Sequence, residues 1–310
     1  MKRAITVVGS INQDLVVAAD RVPGPGETLF GERFALNPGG KGANQAVALA
    51  RLGVETAMLG CVGSDTFGRD LLQALTTAGV HTGMVATVPG ASGVALVQVE
   101  AHGENRITVI AGANAALQPE HLRQHARSLA ASSMILTQLE TPMDLTLALA
   151  RQCRTTGVPL MLDPAPAAPL SSELLEAVTW LTPNLNEAQA LLQSGESPTT
   201  PREAMGMAER LLLQGAQGVL LKLGSMGAVT AQRGATTLFQ PAFRVPVQDT
   251  TAAGDACNAA FAAALTRGET VAASLRFACA ASAVCVTRDG AQQAMPTRDE
   301  VEALLQQASA

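Results

Sequence analysis

The sequence contains no tyrosine, one tryptophan and seven phenylalanines in 310 residues. Stacking platforms are therefore scarce, and a small ligand has to be gripped by polar side chains and backbone more than by aromatic faces. No cluster of Lys and Arg interrupts a chain of net charge −5, which sets nucleic acid aside as a partner. No apolar run reaches the ~18 residues that a membrane span needs. Lys2 and Arg3 precede an apolar run at 4–8, but it meets Gly9, Ser10, Asn12 and Asp14 too soon for a signal peptide and reads as a strand. The five cysteines, Cys61, Cys153, Cys257, Cys279 and Cys285, form no C-x-x-C pair. Reduced, buried thiols in a cytoplasmic protein are expected, and a zinc site is not. G-x-G-x-x-G after the first strand is missing, which counts against a nicotinamide-dependent dehydrogenase, and G-x-x-x-x-G-K-[ST] is missing too, which excludes a Walker P-loop. There is no internal repeat and no low-complexity tract.

What is present points to a large buried core. With 47% hydrophobic and 15% charged residues, the chain suits one α/β domain spanning 1–310. From about residue 119 the pattern alternates: a helix at 121–130, a strand at 134–137, a helix at 144–156 and a strand at 159–163. Right-handed βαβ crossovers turn such an alternation into a parallel sheet. The first strand, 5–8, delivers Asn12 and Asp14 beyond its carboxyl end, where open α/β sheets bind ligands. Two residues apart, they either share one side of an extended chain and grip neighbouring hydroxyls, or form an ordinary Asn/Asp turn. Extended runs at 29–36, 93–100 and 106–110, the last two joined by a loop at 101–105, make a small extra sheet that could serve as a lid.

Two turns rich in small residues lead into helices. Asn37-Pro38-Gly39-Gly40-Lys41-Gly42-Ala43-Asn44-Gln45-Ala46 opens one, and its glycines let backbone approach a ligand closely. Asp249-Thr250-Thr251-Ala252-Ala253-Gly254-Asp255 opens the other and puts the amides of Ala252, Ala253, Gly254 and Asp255 at a helix amino end, where anions bind. Asp255 can take a proton from a hydroxyl there while the amides steady charge on a transferring group. The plainer alternative makes Thr251 a helix cap and Asp255 a partner of the helix dipole. Asn184 and Glu187 have the spacing of a helix cap, and equally of groups that order water around Mg²⁺. Glu140 follows a strand end and either faces the ligand or caps the next helix. Lys222, Leu223, Gly224, Ser225, Met226 and Gly227 form a strand end and a turn with room for a nucleotide, and the Ala- and Cys-rich helix at 271–286 packs beneath it.

Together these segments resemble the ribokinase-like sugar kinases, the PfkB family, over essentially the whole chain. The two turns just described carry the resemblance, joined in order by Gly112-Ala113-Asn114, Asp163-Pro164-Ala165-Pro166, Thr182-Pro183-Asn184 and Thr287-Arg288-Asp289-Gly290. The resemblance implies a three-layer α/β/α sandwich with a central, mostly parallel sheet and a small β-sheet lid from about 12–38 and 93–111. It also implies ATP-dependent phosphorylation of D-ribose at O5, with Mg²⁺ required and K⁺ activating. In that scheme Asp255 is the base, and Ala252, Ala253 and Gly254 complete its anion hole. Asn12, Asp14, Gly40, Lys41, Asn44, Glu140 and Asp255 bind the sugar. Asn184, Lys222, Leu223, Gly224, Ser225, Met226, Gly227, Gly254, Asp255 and Cys279 bind ATP, and Asn184 with Glu187 meets Mg²⁺ through water. Asp249, Thr251, Cys285, Arg288, Gly290 and Ala294 match the monovalent-cation positions.

The chain departs from the family where Ala294 replaces a frequent Ser, Cys279 stands where some members place His, and Asp163 replaces a common Asn. Apolar residues on both alternations of 94–99 need a cover, and members of the family pair their lids, so a homodimer is expected. A kinase for 2-deoxyribose, another sugar or a nucleoside is the nearest alternative, and a non-catalytic sugar or nucleotide sensor the next. An intact Asp255 argues against the sensor.

Overall fold

The strand segments are too apolar to keep a wet face, and they form a sheet covered on both sides. The structure is a computed structural model that describes residues 4–100 and 105–308. In chain order its strands are β1 (Ile5–Val8), β2 (Asn12–Ala18), β3 (Arg33–Gly39), β4 (Thr56–Gly63), β5 (His81–Val88), β6 (Gly93–Val99) and β7 (Asn105–Ile110). Then follow β8 (Met134–Thr137), β9 (Leu160–Leu162), β10 (Trp180–Leu181), β11 (Gly218–Lys222), β12 (Gly227–Gln232) and β13 (Leu238–Pro241). One sheet has the order β13-β12-β11-β10-β9-β8-β1-β4-β5, and β3-β2-β6-β7 make the second. From β11 to β5 every pairing is parallel, and only β12 and β13 are added antiparallel at one edge.

Side-chain alternation explains the layers. Val7, Met58, Leu136, Met161 and Leu220 enter one core while Val8, Leu59, Ile135, Leu162 and Leu221 enter another. Successive strand residues point to opposite faces, so the two cores lie on opposite sides of the sheet. Helices Lys41–Arg51, Ala253–Thr266 and Val271–Cys285 contribute to the first core, and Met143–Thr156 and Pro201–Leu212 to the second. This is the expected three-layer sandwich. The Ala253–Thr266 helix is buried from Asp255 through Ala264, and its Phe261 meets Trp180 edge-on with ring centroids 4.8 Å apart. A helix apolar on every side belongs in the interior.

Each face of the small sheet carries both polar and apolar residues. Paired residues on neighbouring strands share a face. Asn12 pairs with Gly39 and Gly93, and Asp14 with Asn37 and Ala95, on one side. Leu15 pairs with Leu36 and Leu96, and Val17 with Phe34, on the other.

Some boundaries differ from expectation. The extended run at 29–36 becomes β3 only at Arg33 and continues to Gly39, because β2 ends at Ala18 opposite Arg33 and earlier residues have no ladder to join. The helix expected at 121–130 is two, Pro119–Gln124 and Ala126–Ala130, divided at His125, whose φ of −108° and ψ of 19° leave the helical region. The strand expected at 159–163 is Leu160–Leu162, and the helix expected at 271–286 ends at Cys285. Of the loop expected at 101–105, residues 101–104 lie outside the described residues, and Asn105 already belongs to β7. All five cysteines are buried and unpaired. Among the described residues no helix is long and apolar enough to cross a membrane.

The amino end of the Lys41–Arg51 helix presses on the turn after β1. A Cβ on Gly42 would lie 2.7 Å from Ser10 N and 2.8 Å from the Gly9 carbonyl carbon, both rigid backbone. Gly42→Ala should therefore cost about 1–3 kcal/mol by overpacking, read as a lowered midpoint in urea unfolding.

Candidate active site

Parallel strands end on one edge, and here β1, β8, β9 and β11 bring Ser10, Glu140, Asp163 and Lys222 to it. This is the ligand edge of an open α/β sheet. The amino ends of the Lys41–Arg51 and Ala253–Thr266 helices meet there as well, through Asn44, Gln45 and Asp255.

Asp255 lies in the first turn of its helix and is 3% exposed. Asn44 Nδ2 donates to its Oδ2 at 3.1 Å and Gln45 Nε2 to its Oδ1 at 3.0 Å. No side chain caps this helix, so Thr251 is not the cap that one reading allowed. The capping position is Ala252, at φ 58° and ψ 11°. That left-handed backbone costs a residue with a Cβ on the order of 1 kcal/mol or more, and the uncapped turn leaves its amides to the cleft. Ala253 is the exception, since its N–H is turned back onto the Thr250 carbonyl at 3.3 Å.

A polar clamp adjoins Asp255. Asn12 Oδ1 accepts from Asn114 Nδ2 at 2.7 Å, and Asn114 Oδ1 accepts from the Ile11 N–H at 2.9 Å. This fixes the Asn12 amide and leaves its Nδ2 to donate elsewhere. The Asp14 carboxylate packs on Gly39, where a Cβ would come within 2.1 Å of Oδ2. Glu140 accepts from Ser10 Oγ at 2.5 Å and from the Lys41 N–H at 3.1 Å. It faces the site and does not cap the following helix, whose capping position is Pro142. Gly40 occupies the capping position of the Lys41–Arg51 helix at φ 87°, and Asn44 Oδ1 is buried without a protein partner.

Beside the clamp opens a cleft of about 1030 Å³, lined by Asn184, Glu187, Lys222, Gly224, Ser225, Met226, Gly227 and Cys279 and reaching Lys41, Gly254 and Asp255. The turn expected to hold a nucleotide thus converges here except for Leu223, whose side chain packs against the apolar core. Asn184 Oδ1 accepts from the Glu187 N–H at 2.9 Å, and Glu187 Oε2 accepts from the Asn184 N–H at 2.8 Å. The pair is a reciprocal helix cap, and it lines the cleft as well.

A second loop pair lies behind the uncapped helix start. Asp249 Oδ1 accepts from the Thr251 N–H at 2.8 Å and its Oδ2 from the Gly290 N–H at 2.9 Å. The Cys285 thiol lies against the Thr251 carbonyl. The Arg288 side chain turns away to Glu300 at 2.6 Å, and Ala294 is buried with no polar side-chain atom to offer. Arg288 and Ala294 can therefore serve a cation only through backbone.

Contacts to which the sequence reading assigns no role complete the site. Gln45 Nε2 also donates to Asp163 Oδ2 at 3.2 Å, and Gln138 Nε2 donates to Gln45 Oε1 at 2.8 Å. Lys222 Nζ donates to Asp163 Oδ1 at 3.0 Å and to Asn258 Oδ1 at 3.3 Å. The available signal was polarity out of place: Asn258, three residues after Asp255, interrupts an otherwise apolar helix.

Residues 2–298 match the model of the pfkB family carbohydrate kinases. The chain belongs to this family. It is 41% identical to the ribokinase of Bacillus subtilis over 98% of this chain and 99% of that one. Identity to the ribokinase of Haemophilus influenzae is 38%, over 99% of this chain and 100% of that one. The solved structure of Arabidopsis thaliana ribokinase complexed with ribose and ATP aligns with a TM-score of 0.91 at 34% identity, covering 98% of this chain and 99% of that one.

In this carbohydrate kinase the charges are set against the cost of burial. Burial pushes the Asp255 carboxyl upward and Asp163 adds to this, while Lys41 and the amides of Gln45 and Asn44 oppose it. Burial and Asp163 also push Glu187 upward. Burial works against the charge of Lys41, but Asp255, Asp163, Glu140 and Glu187 outweigh it and hold the ammonium firmly protonated. Asp14 is raised to about 7, by burial first and then by Glu140 and Asp255. A carboxyl raised on folding binds its proton more tightly in the native chain, so the stability it contributes is full below its unfolded value of about 4 and is lost as pH rises through about 7. Thermal midpoints of the ligand-free protein should fall between about pH 4 and about pH 7, and Asp14→Asn should flatten that fall.

Proposed function

We propose that the chain is a ribokinase, transferring the γ-phosphoryl group of ATP to O5 of D-ribose to give D-ribose 5-phosphate and ADP. The observation that carries this reading is a buried carboxylate, Asp255, held by two amides at the open amino end of its own helix. Asp255 takes the proton of the O5 hydroxyl and O5 bonds to the γ-phosphorus. The bond from that phosphorus to the bridging oxygen breaks, and its electron pair leaves on ADP. The amides of Ala252, Gly254 and Asp255 stabilise the charge gathered on the transferring group, with Ala253 contributing least.

Ribose is held by Asn12, Asp14, Gly40, Lys41, Asn44 and Glu140. Asp14 and Glu140 accept from hydroxyls, Asn12 donates to one, and the unpartnered Asn44 Oδ1 gains a donor when a hydroxyl arrives. ATP lies in the cleft along Asn184, Lys222, Gly224, Ser225, Met226, Gly227, Gly254 and Cys279, with Leu223 supporting the turn from behind. The carboxylate of Glu187 and the amide of Asn184 offer oxygen to a water shell, the donor type that Mg²⁺ takes, and the ion bound with ATP supplies neutralising charge on the phosphates. Asp249 with the backbone carbonyls of Thr251, Cys285, Arg288, Gly290 and Ala294 is an all-oxygen set suited to K⁺. The lid segments, about 12–38 and 93–111, close over the sugar as part of a single domain. Phe34, Leu36 and Leu96, exposed on the far side of that sheet, pair two copies into a cytoplasmic homodimer.

ADP release from Mg·ATP with D-ribose, 2-deoxyribose, fructose and adenosine, in K⁺ and in Na⁺, tests the reading. Ribose should be the best acceptor, K⁺ should stimulate, and Asp255→Ala should lose at least ~10³-fold in kcat. ATP or ribose binding without turnover on any acceptor would make the chain a sensor instead. Asn12→Met should lower the preference for ribose over 2-deoxyribose by about tenfold or more, since a site built to bind a hydroxyl rejects the analogue lacking it. An unchanged ratio removes Asn12 from the recognition of that hydroxyl.

A further inference from the structure

Gln45 is 1% exposed, lies outside the lining of the cleft and is the neighbour of Asn44 in the first helix. Both of its donors are committed, and its oxygen has a partner as well. Its Nε2 donates to Asp255 Oδ1 at 3.0 Å and to Asp163 Oδ2 at 3.2 Å, and its Oε1 accepts from Gln138 Nε2 at 2.8 Å. This pattern fixes the orientation of the amide. Turned over, it would set an oxygen against two carboxylates and its nitrogen against that of Gln138. Asp163 is anchored on its other oxygen by Lys222 Nζ at 3.0 Å. One nitrogen therefore ties Asp255 to a fixed point at the end of β9.

We propose that Gln45 is a positioning residue for phosphoryl transfer: it holds the carboxylate of Asp255 in one plane, aimed at the acceptor hydroxyl, and keeps Asp163 from competing for its proton. The inference rests on the reading of Asp255 as the base. Two neighbouring buried carboxylates otherwise tend to share a proton, which would take the base out of action. The titratable and charged groups around Asp255 are Lys41 on the first helix, Asp14 on β2, Glu140, Asp163 and Lys222 at the strand ends, Glu187 on the Leu185–Leu192 helix and Cys285 on the Val271–Cys285 helix. Of these, Gln45 donates hydrogen bonds only to Asp163, and it is a neutral bridge between that group and the base.

The test is steady-state kinetics of Gln45→Met, which keeps side-chain length and removes both donors, beside Asp255→Ala and the wild type, with ribose, Mg·ATP and K⁺. The expected result is a fall in kcat of about 10- to 100-fold, the scale of a misplaced reacting group, with both KM values within about threefold of wild type. The acid limb of the kcat/KM profile should also move to higher pH, which loss of mere packing would not do. Should Gln45→Met fail to fold, Gln138→Met decides the matter, because it leaves the donor but frees the amide to turn and should give a smaller loss of kcat in the same direction. Wild-type kcat and pH profile in a folded variant, or a rise in KM alone, with Asp255→Ala inactive, overturns the inference and leaves the base in place. An active Asp255→Ala overturns the reading beneath it.

Discussion

A carboxylate taken out of water favours its protonated form, and a base must stay ionised. Asp255 is almost completely buried, and the groups around it answer that conflict. The amides of Asn44 and Gln45, Lys41 nearby and the first-turn amides of its helix all favour the charged form. Among the described residues, Asp14, Glu140, Asp163 and Glu187 crowd the same region, with Lys41 and Lys222 as the cations beside them. An excess of negative charge of this kind suits polyhydroxyl ligands, which donate, and discourages phosphates that arrive without a cation.

The fold supplies the rigidity that this balance requires. Each donor comes from the end of a strand or the first turn of a helix, both anchored by apolar side chains at the interior of the sandwich. Close approach is obtained by leaving side chains out, as at Gly42 against the Gly9–Ser10 backbone and at Gly39 against Asp14. Backbone strain appears at Ala252, where a left-handed residue aims the helix start into the cleft. The small sheet turns Asn12 and Asp14 toward the clamp and carries Phe34, Leu36 and Leu96 on its far face.

The layers and the parallel sheet were legible in the sequence because period-2 runs and regular helix–strand alternation express local physics. So were Asp255 and Lys41, which stand directly on glycine-bearing or small-residue turns. What escaped was set by tertiary pairing. The start of β3 depends on where its partner β2 ends, and the break at His125 is unmarked by Gly or Pro. Leu223 reads as part of its turn, and its half-buried side chain packs against the core. Asn258 reads as an ordinary helix residue, and Gln45 and Gln138 show only as a motif member and a strand-end polar group, until the fold sets Gln45 against Asp255, Gln138 against Gln45 and Asn258 against Lys222. Neutral amides leave little local trace, since their role is decided by partners far away in the chain.

That distance has a consequence for the chain as it is made. Asn44 and Gln45 are separated from Asp255 by 211 and 210 residues, so these contacts close one of the longest loops in the molecule and are entropically late. A nascent chain that has emerged only past β11 carries the groups of the clamp but not the Asp255 carboxylate that Asn44 and Gln45 share. Small molecules that bind the assembled site add their stabilisation only once the last third of the protein is in place. Truncated products ending before Asp255 receive no such help, and with part of their apolar sheet uncovered they fall to chaperones and proteases.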